Sequence, residues 1–245
     1  MEPARSAGGL RPVSIQPGFM PYAEGSALIS CGQTRVICSA TLEHGVPPFL
    51  LGKGQGWLTA EYNMLPRSTL TRKKREREKL DGRTVEIQRF IGRCLRPAVD
   101  LSRLGERTLI VDCDVLQADG GTRTASVTGA MVAVALALAK FKREGKPEAG
   151  ALGEFVAAVS VGLLDGAPVL DLDYAQDVRA AADFNVAMTE GGKFIEVQGT
   201  AEHGPFDPQQ LQALLEPAAR GIRELISLQK AALGAEILSL LGHEC

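Results

Sequence analysis

Apolar and polar positions alternate along the start of the chain, and residues 11–18 and 26–42 read as strands. CGQT (31–34) is a turn separating the β-rich runs ALIS and RVICSATL. GKGQG at 52–56 has the glycines of a dinucleotide-binding turn, but WLTAEY follows and reads as a strand where that motif needs a helix. It is expected to be a flexible loop, and Pro66 to Lys79, with almost no apolar periodicity, a mobile basic one. Residues 82–101 switch to helical period: Ile87, Phe90, Ile91, Cys94, Leu95 and Ala98 share one face, and Arg89, Arg93 and Arg96 line the other. Pro97 should kink or end that helix.

TLIVDCDVLQ (108–117) alternates as a strand and runs through ADGGTRTAS (118–126) into VTGAMVAVALALAKF (127–141), a helix apolar nearly all round and so expected to be buried. Residues 154–166 and 167–172 form a hairpin about Asp165-Gly166, and FNVAMTE and KFIEVQG form a second about Gly191-Gly192. An amphipathic helix from about Pro208 to Leu233 closes the pattern. Hairpins alternating with helices predict an α/β or α+β layered fold. No linker divides it, so residues 1–245 are expected to form one domain, with 1–10 and about 235–245 as flexible tails.

Composition narrows the class. The 245 residues are 45% hydrophobic and 23% charged, which excludes disordered, collagen-like and coiled-coil chains. No apolar run reaches the eighteen or so residues of a membrane span, and MEPARSAGGLRP lacks the apolar core of a secretory signal. Five scattered cysteines (Cys31, Cys38, Cys94, Cys113, Cys245) without a CxxC pair argue for reduced thiols in a cytoplasm. The net charge of −2 hides an asymmetry: Arg67 to Arg96 holds eleven Lys/Arg against four acids. That segment carries +7 and the remainder −9. A clustered cationic surface suits a polyanion; a solvated charged loop is the plainer alternative.

Candidate chemistry begins at DGGTRTAS (119–126). Two glycines at a strand end, followed at once by a helix N-terminus, expose backbone N–H groups to an anion. Thr122, Thr124 and Ser126 add hydroxyls, and Arg123 a guanidinium matched to phosphate. The ordinary alternative is a Gly-Gly turn with Thr or Ser as helix cap. Arg83, at the start of the arginine-faced helix, could approach the same anion from a second side. Asp171, Asp173, Asp177 and Asp183 form one acidic group, and Asp112 and Asp114, on one strand face, another. Asp177 and Asp183 could hold Mg²⁺ or supply a general acid, capping and solvated loop acids being the plainer alternative; Asp112 and Asp114 could be a metal pair or equally a hydrogen-bonded structural pair, and pattern alone leaves the choice open. His44, His203 and His243 are far apart, and GxSxG and HExxH are absent, which weighs against a His-dependent triad or a His-ligated zinc.

GQGWLTAEYNMLPRST, GRTVEIQRFIGRCLRPAVD, DCDVLQADGGTRTASVTGA, DLDYAQDVRAAADFNVAMTE and FIEVQGTAEHGPF occur in that order. From about Arg11 to Gly234 the chain thereby resembles the bacterial ribonuclease PH family. The resemblance implies the mixed βαβα domain of polynucleotide phosphorylase and the exosome ring. It also implies a tRNA nucleotidyltransferase: inorganic phosphate attacks the 3′-terminal phosphodiester of precursor tRNA, releasing nucleoside diphosphates, and the reverse reaction adds nucleotides. Family phosphate-site residues fall on Arg83, Gly121, Thr122 and Arg123. The family's acidic pair falls on Asp177 and Asp183, where a divalent ion such as Mg²⁺ and the leaving oxygen are expected. Arg67, Arg72 and Arg75 match arginines associated with subunit contacts and RNA, and the assembly implied is a homohexamer, a trimer of dimers. HGPF (203–206) and the tail ILSLLGHEC depart from the family pattern and touch none of these residues. Two rivals remain: a catalytically silent RNA-binding ring subunit, and a hydrolytic phosphodiesterase using Asp112, Asp114 and Asp119.

Overall fold

In the computed structural model, which describes residues 8–75, 81–146 and 150–243, the N-terminal alternation becomes β1 (Val13–Pro17), β2 (Gly25–Cys31) and β3 (Thr34–His44), paired antiparallel. β4 (Trp57–Met64) and β5 (Arg107–Gln117) complete a sheet in the order β1-β2-β3-β5-β4. β4 and β5 run parallel, a pairing that requires a crossover. α1 (Gly82–Leu95) provides it.

α1 buries Ile87, Phe90, Ile91, Cys94 and Leu95 as its period predicts. It is shorter than 82–101 because Pro97 turns the chain into a 3₁₀ segment at Arg96–Ala98. Arg96 is half-buried instead of lining the solvent face expected for it. Its guanidinium lies over the Trp57 ring, 4.1 Å from the centroid, and its Nε donates to the Leu58 carbonyl at 3.0 Å.

α2 (Thr122–Arg143) begins ahead of the expected Val127 and runs between the two sheets. Small residues permit the approach: a Cβ on Gly129 would stand 2.7 Å from Ile29 and 2.9 Å from the Cys38 thiol, and one on Gly25 would collide with the α2 backbone. By length and composition α2 could cross a membrane, yet nearly all of it is buried here, so its apolarity is core packing.

The second sheet is antiparallel, in the order β7-β6-β8-β9, from β6 (Val156–Leu164), β7 (Ala167–Leu170), β8 (Ala182–Thr189) and β9 (Phe194–Ala201). Asp165 and Gly166 both adopt positive φ at the β6–β7 turn, the geometry that a tight hairpin demands. α3 (Tyr174–Arg179) connects β7 to β8. α4 (Pro208–Leu241) packs on β6, β7 and α2, where buried Gln229 donates to the carbonyls of Thr128 and Val156 at 2.9 and 3.0 Å.

The expected end of the last helix at Leu233 coincides with a break, since Gly234 has φ of +77°. Helix then resumes with Leu238 in the core, so residues 235–241 are not the loose tail expected. At the other end Leu10 is already buried. Residues 1–7 and 244–245 of those tails, and 76–80 of the basic loop, lie outside the described residues.

Candidate active site

The site is built on the turn from β5 into α2. Gly120 and Gly121 both take positive φ, and a Cβ on Gly120 would collide with the Leu172 carbonyl, so only glycine lets the two segments cross. Gly121 occupies the cap position of α2, and no side chain caps the helix. The first helical hydrogen bond is Ala125 N–H to the Gly121 carbonyl at 3.0 Å. The amides of residues 122–124 therefore precede the intrahelical ladder and are available to an anion.

Two of the three hydroxyls expected to join them do not. Thr124 donates back to the Gly121 carbonyl at 3.0 Å and Ser126 to the Thr122 carbonyl at 2.8 Å, both buried. Thr122 remains, its Oγ1 2.9 Å from the hydroxyl of buried Tyr62 on β4.

The turn is held from below by Arg11. Its Nε and Nη2 meet the two oxygens of Asp171 at 3.0 and 2.7 Å, and its Nη1 donates to the Asp119 carbonyl at 2.5 Å. Thr34 Oγ1 donates to the Gly120 carbonyl at 2.7 Å and accepts from Asp119 N–H at 2.9 Å. Asp119 Oδ1 accepts from Tyr174 N–H at 3.4 Å. Arg11, Thr34 and Tyr62 were not among the residues that sequence reasoning picked out. Arg11 marks the start of the family match, Thr34 ends the CGQT turn and Tyr62 lies within GQGWLTAEYNMLPRST, but none was given a role.

Arg123 leaves the first turn of α2 with a side chain 15% exposed. Its Nη1 donates to Glu86 Oε2 at 3.0 Å and to Gln198 Oε1 at 2.9 Å, and Gln198 Nε2 donates to Glu86 Oε1 at 2.9 Å. Arg83, exposed on the first turn of α1, and Arg123 both act electrostatically on Asp177 of α3. Asp183, on β8 opposite Gly162 and Thr200, feels Asp177, Glu202 and Arg123.

The fold thus gathers Arg83, Arg123, Asp177 and Asp183 from four elements around the start of α2. Loss of water around the carboxylates raises the pKa of both acids above the ordinary range. For Asp183 the charges of Asp177 and Glu202 push further in the same direction; for Asp177 the two arginines oppose the rise. Glu202, exposed just beyond β9, was not singled out although it lies within the matching run FIEVQGTAEHGPF.

The other acidic group is elsewhere. Along β5, Val111, Cys113 and Val115 are buried in the core, and Asp112 and Asp114 alternate with them onto the outer face. Desolvation raises both, with Glu61 adding to the effect on Asp112 and Arg75 counteracting it on Asp114. Arg67, Arg72 and Arg75 are exposed on the segment after β4, and Arg67 Nη1 donates to the Leu70 carbonyl at 3.0 Å. Cys94 and Cys113 are buried free thiols, as their strand and helix faces predict.

Comparison with known proteins agrees with this architecture. Residues 9–140 match the model of the 3′ exoribonuclease family, domain 1, and residues 154–221 that of domain 2. The Ribonuclease PH of Syntrophomonas wolfei subsp. wolfei is 58% identical over 227 residues, spanning 92% of this chain and 95% of that protein. Rice (Oryza sativa) Rrp46 has a similar fold, with a TM-score of 0.75 at 17% identity over 94% of this chain and 98% of its own. An Archaeoglobus fulgidus exosome with RNA bound to the active site gives 0.75 at 21% identity, over 91% and 90%. The chain belongs to the ribonuclease PH family of 3′ exoribonucleases.

Proposed function

We propose that this chain is a phosphorolytic 3′→5′ exoribonuclease that trims nucleotides beyond the CCA end of precursor tRNA. The observation that carries this reading is the convergence of Arg83 and Arg123 with Asp177 and Asp183 at the uncapped N-terminus of α2. Cations and free amides bind an anion there, and acids of raised proton affinity stand beside it.

Inorganic phosphate binds to the amides at Thr122 and Arg123, to the Thr122 hydroxyl and to the guanidinium groups of Arg123 and Arg83. A phosphate oxygen forms a bond to the terminal phosphorus of the RNA. The bond from that phosphorus to the preceding nucleotide's 3′ oxygen breaks, and its electron pair leaves with the oxygen. Asp183, whose environment favours the protonated form, delivers the proton. The products are a nucleoside diphosphate and an RNA shortened by one residue, and the reverse reaction adds nucleotides from diphosphates. Charge on the phosphoryl oxygens is met by the two arginines.

In the alternative role Asp183 would not supply the proton but would, together with Asp177, hold a divalent ion such as Mg²⁺. Two oxygen donors suit a hard cation that keeps much of its water and shares a substrate phosphate, and among the described residues no larger His/Cys/Asp/Glu cluster exists. When bound, such an ion neutralises charge on phosphate oxygens. Arg67, Arg72 and Arg75 engage the RNA backbone without reading sequence. The assembly is a cytoplasmic homohexamer, a trimer of dimers, with rRNA as a second class of substrate.

The deciding experiment is product analysis on a tRNA with a short 3′ extension, with and without inorganic phosphate. Nucleoside diphosphates formed only with phosphate are the expected result. Monophosphates without added phosphate would establish hydrolysis and overturn the reading. Binding without any product would establish the silent ring subunit.

A further inference from the structure

Arg123 is held in a closed ring of three side chains. Its Nη1 donates to both Glu86 and Gln198, and Gln198 Nε2 closes the ring on the other oxygen of Glu86. Each member comes from a different element: Glu86 from α1, Arg123 from α2 and Gln198 from β9. β9 belongs to the second sheet, so the ring joins the two halves of the fold at the site.

We propose that Glu86 and Gln198 are positioning residues for phosphate, fixing the Arg123 guanidinium so that Nε and Nη2 face the anion. This rests on the proposed reading that Arg123 binds phosphate. Three features favour positioning over a chance surface pair. All polar contacts of the guanidinium among the described residues fall on one nitrogen, so both ring partners are satisfied without using the edge that forks onto phosphate. The ring is self-consistent, since Gln198 accepts from the arginine and donates to the acid and so has its amide orientation set by both. Arg123 is mostly enclosed, with little freedom to seek other partners.

A carboxylate near an anion site also repels the anion, so the net sign depends on which effect dominates. Across a partly hydrated site the Coulomb cost is modest. An unrestrained arginine side chain has several rotatable bonds to order on binding, and a small misplacement is costly in a preorganised site. Orientation should therefore win.

The test uses the full-length enzyme and the Michaelis constant for inorganic phosphate. Glu86→Ala should raise that constant by about tenfold with a smaller effect on kcat. Glu86→Gln, which keeps an oxygen within reach of Nη1, should recover most of it. Gln198→Ala should behave like Glu86→Ala. Gln198→Glu, which cannot donate to Glu86 and sets two carboxylates together, should fail to recover. A constant unchanged or lowered in Glu86→Ala would overturn the proposal and make Glu86 a bystander or a competing counter-ion.

A second readout needs no turnover: the rise in Tm as phosphate is added. Glu86→Ala should need more phosphate for the same rise, and Arg123→Ala should show little rise at any concentration. If Arg123→Ala responds as the unmodified enzyme does, the underlying assignment of Arg123 fails. If Arg123→Ala loses the response but Glu86→Ala and Gln198→Ala keep it in full, only the positioning proposal fails.

Discussion

Arg11 and Asp171, 160 residues apart, form a buried two-pronged ion pair beside the Gly120-Gly121 turn that leads into α2. Asp171 adopts positive φ (54°), and its Oδ2 also accepts the Arg11 backbone N–H at 2.9 Å. Desolvation opposes charge on Arg11, yet its bonds with Asp171 leave its pKa raised. The pair fastens the chain before β1 to the end of β7, and the remaining Arg11 nitrogen fixes the Asp119 carbonyl.

Removing one partner should strand the other charge. Asp171→Ala is expected to lower stability by about 3–5 kcal/mol, whereas Arg11→Met with Asp171→Asn, which removes both charges and suits the positive φ, should recover part of the loss. Urea unfolding of the single and double variants measures both, and equal loss in the two would refute the pair's role.

Asp183→Asn should reduce kcat by about 10²–10⁴-fold while leaving RNA affinity intact. Single-turnover trimming and equilibrium RNA binding separate the two effects, and near-normal turnover would remove Asp183 from the proton transfer.

The raised pKa values of Asp177 and Asp183 have an effect on stability whose sign is defined. Folding raises their proton affinity, so their favourable contribution is complete below the unfolded-state pKa and disappears as pH rises through the higher folded-state value. Above it, two neighbouring charges are a cost. Asp177→Asn should therefore raise Tm by about 1–3 °C at pH 8, and the advantage should shrink as pH falls toward 4. A Tm difference independent of pH would contradict the coupling.

Tyr62→Phe removes one hydroxyl from a buried site and leaves the ring in place. The Thr122 hydroxyl loses the partner that fixes its rotor, and the Michaelis constant for phosphate should rise about threefold to tenfold with RNA affinity unchanged. No change would mean that Thr122 orients without it.

Arg72→Ala and Arg75→Ala should each weaken RNA binding and flatten its dependence on log salt by about one unit of slope. RNA affinity insensitive to salt would exclude backbone contact by these residues.

The sequence by itself determined the elements. Period-two and period-3.6 patterns located β1 to β5, the buried α2 and both hairpins, because local propensity and one-sided burial act within a few residues. It also pointed to Arg123 and the glycines before it, since a strand–Gly-Gly–helix turn is a local object. Where it erred, the reasons differ: Arg96 meets Trp57 on β4, a contact that no local pattern encodes, whereas Thr124 and Ser126 bond back to carbonyls three and four residues earlier because α2 begins ahead of the expected start.

Only the tertiary structure placed the two acidic groups relative to the arginines. Pattern left Asp112 with Asp114 and Asp177 with Asp183 as equal candidates, and the packing of β5 against α2 turns the first pair to the outer face. The connection through α3 into β8 carries the second pair to the arginines. Partners such as Glu86 and Gln198, or Arg11 and Asp171, are separated by 112 and 160 residues. No local pattern encodes such a contact. It arises when two sheets close on one helix and each buried polar group must find its match.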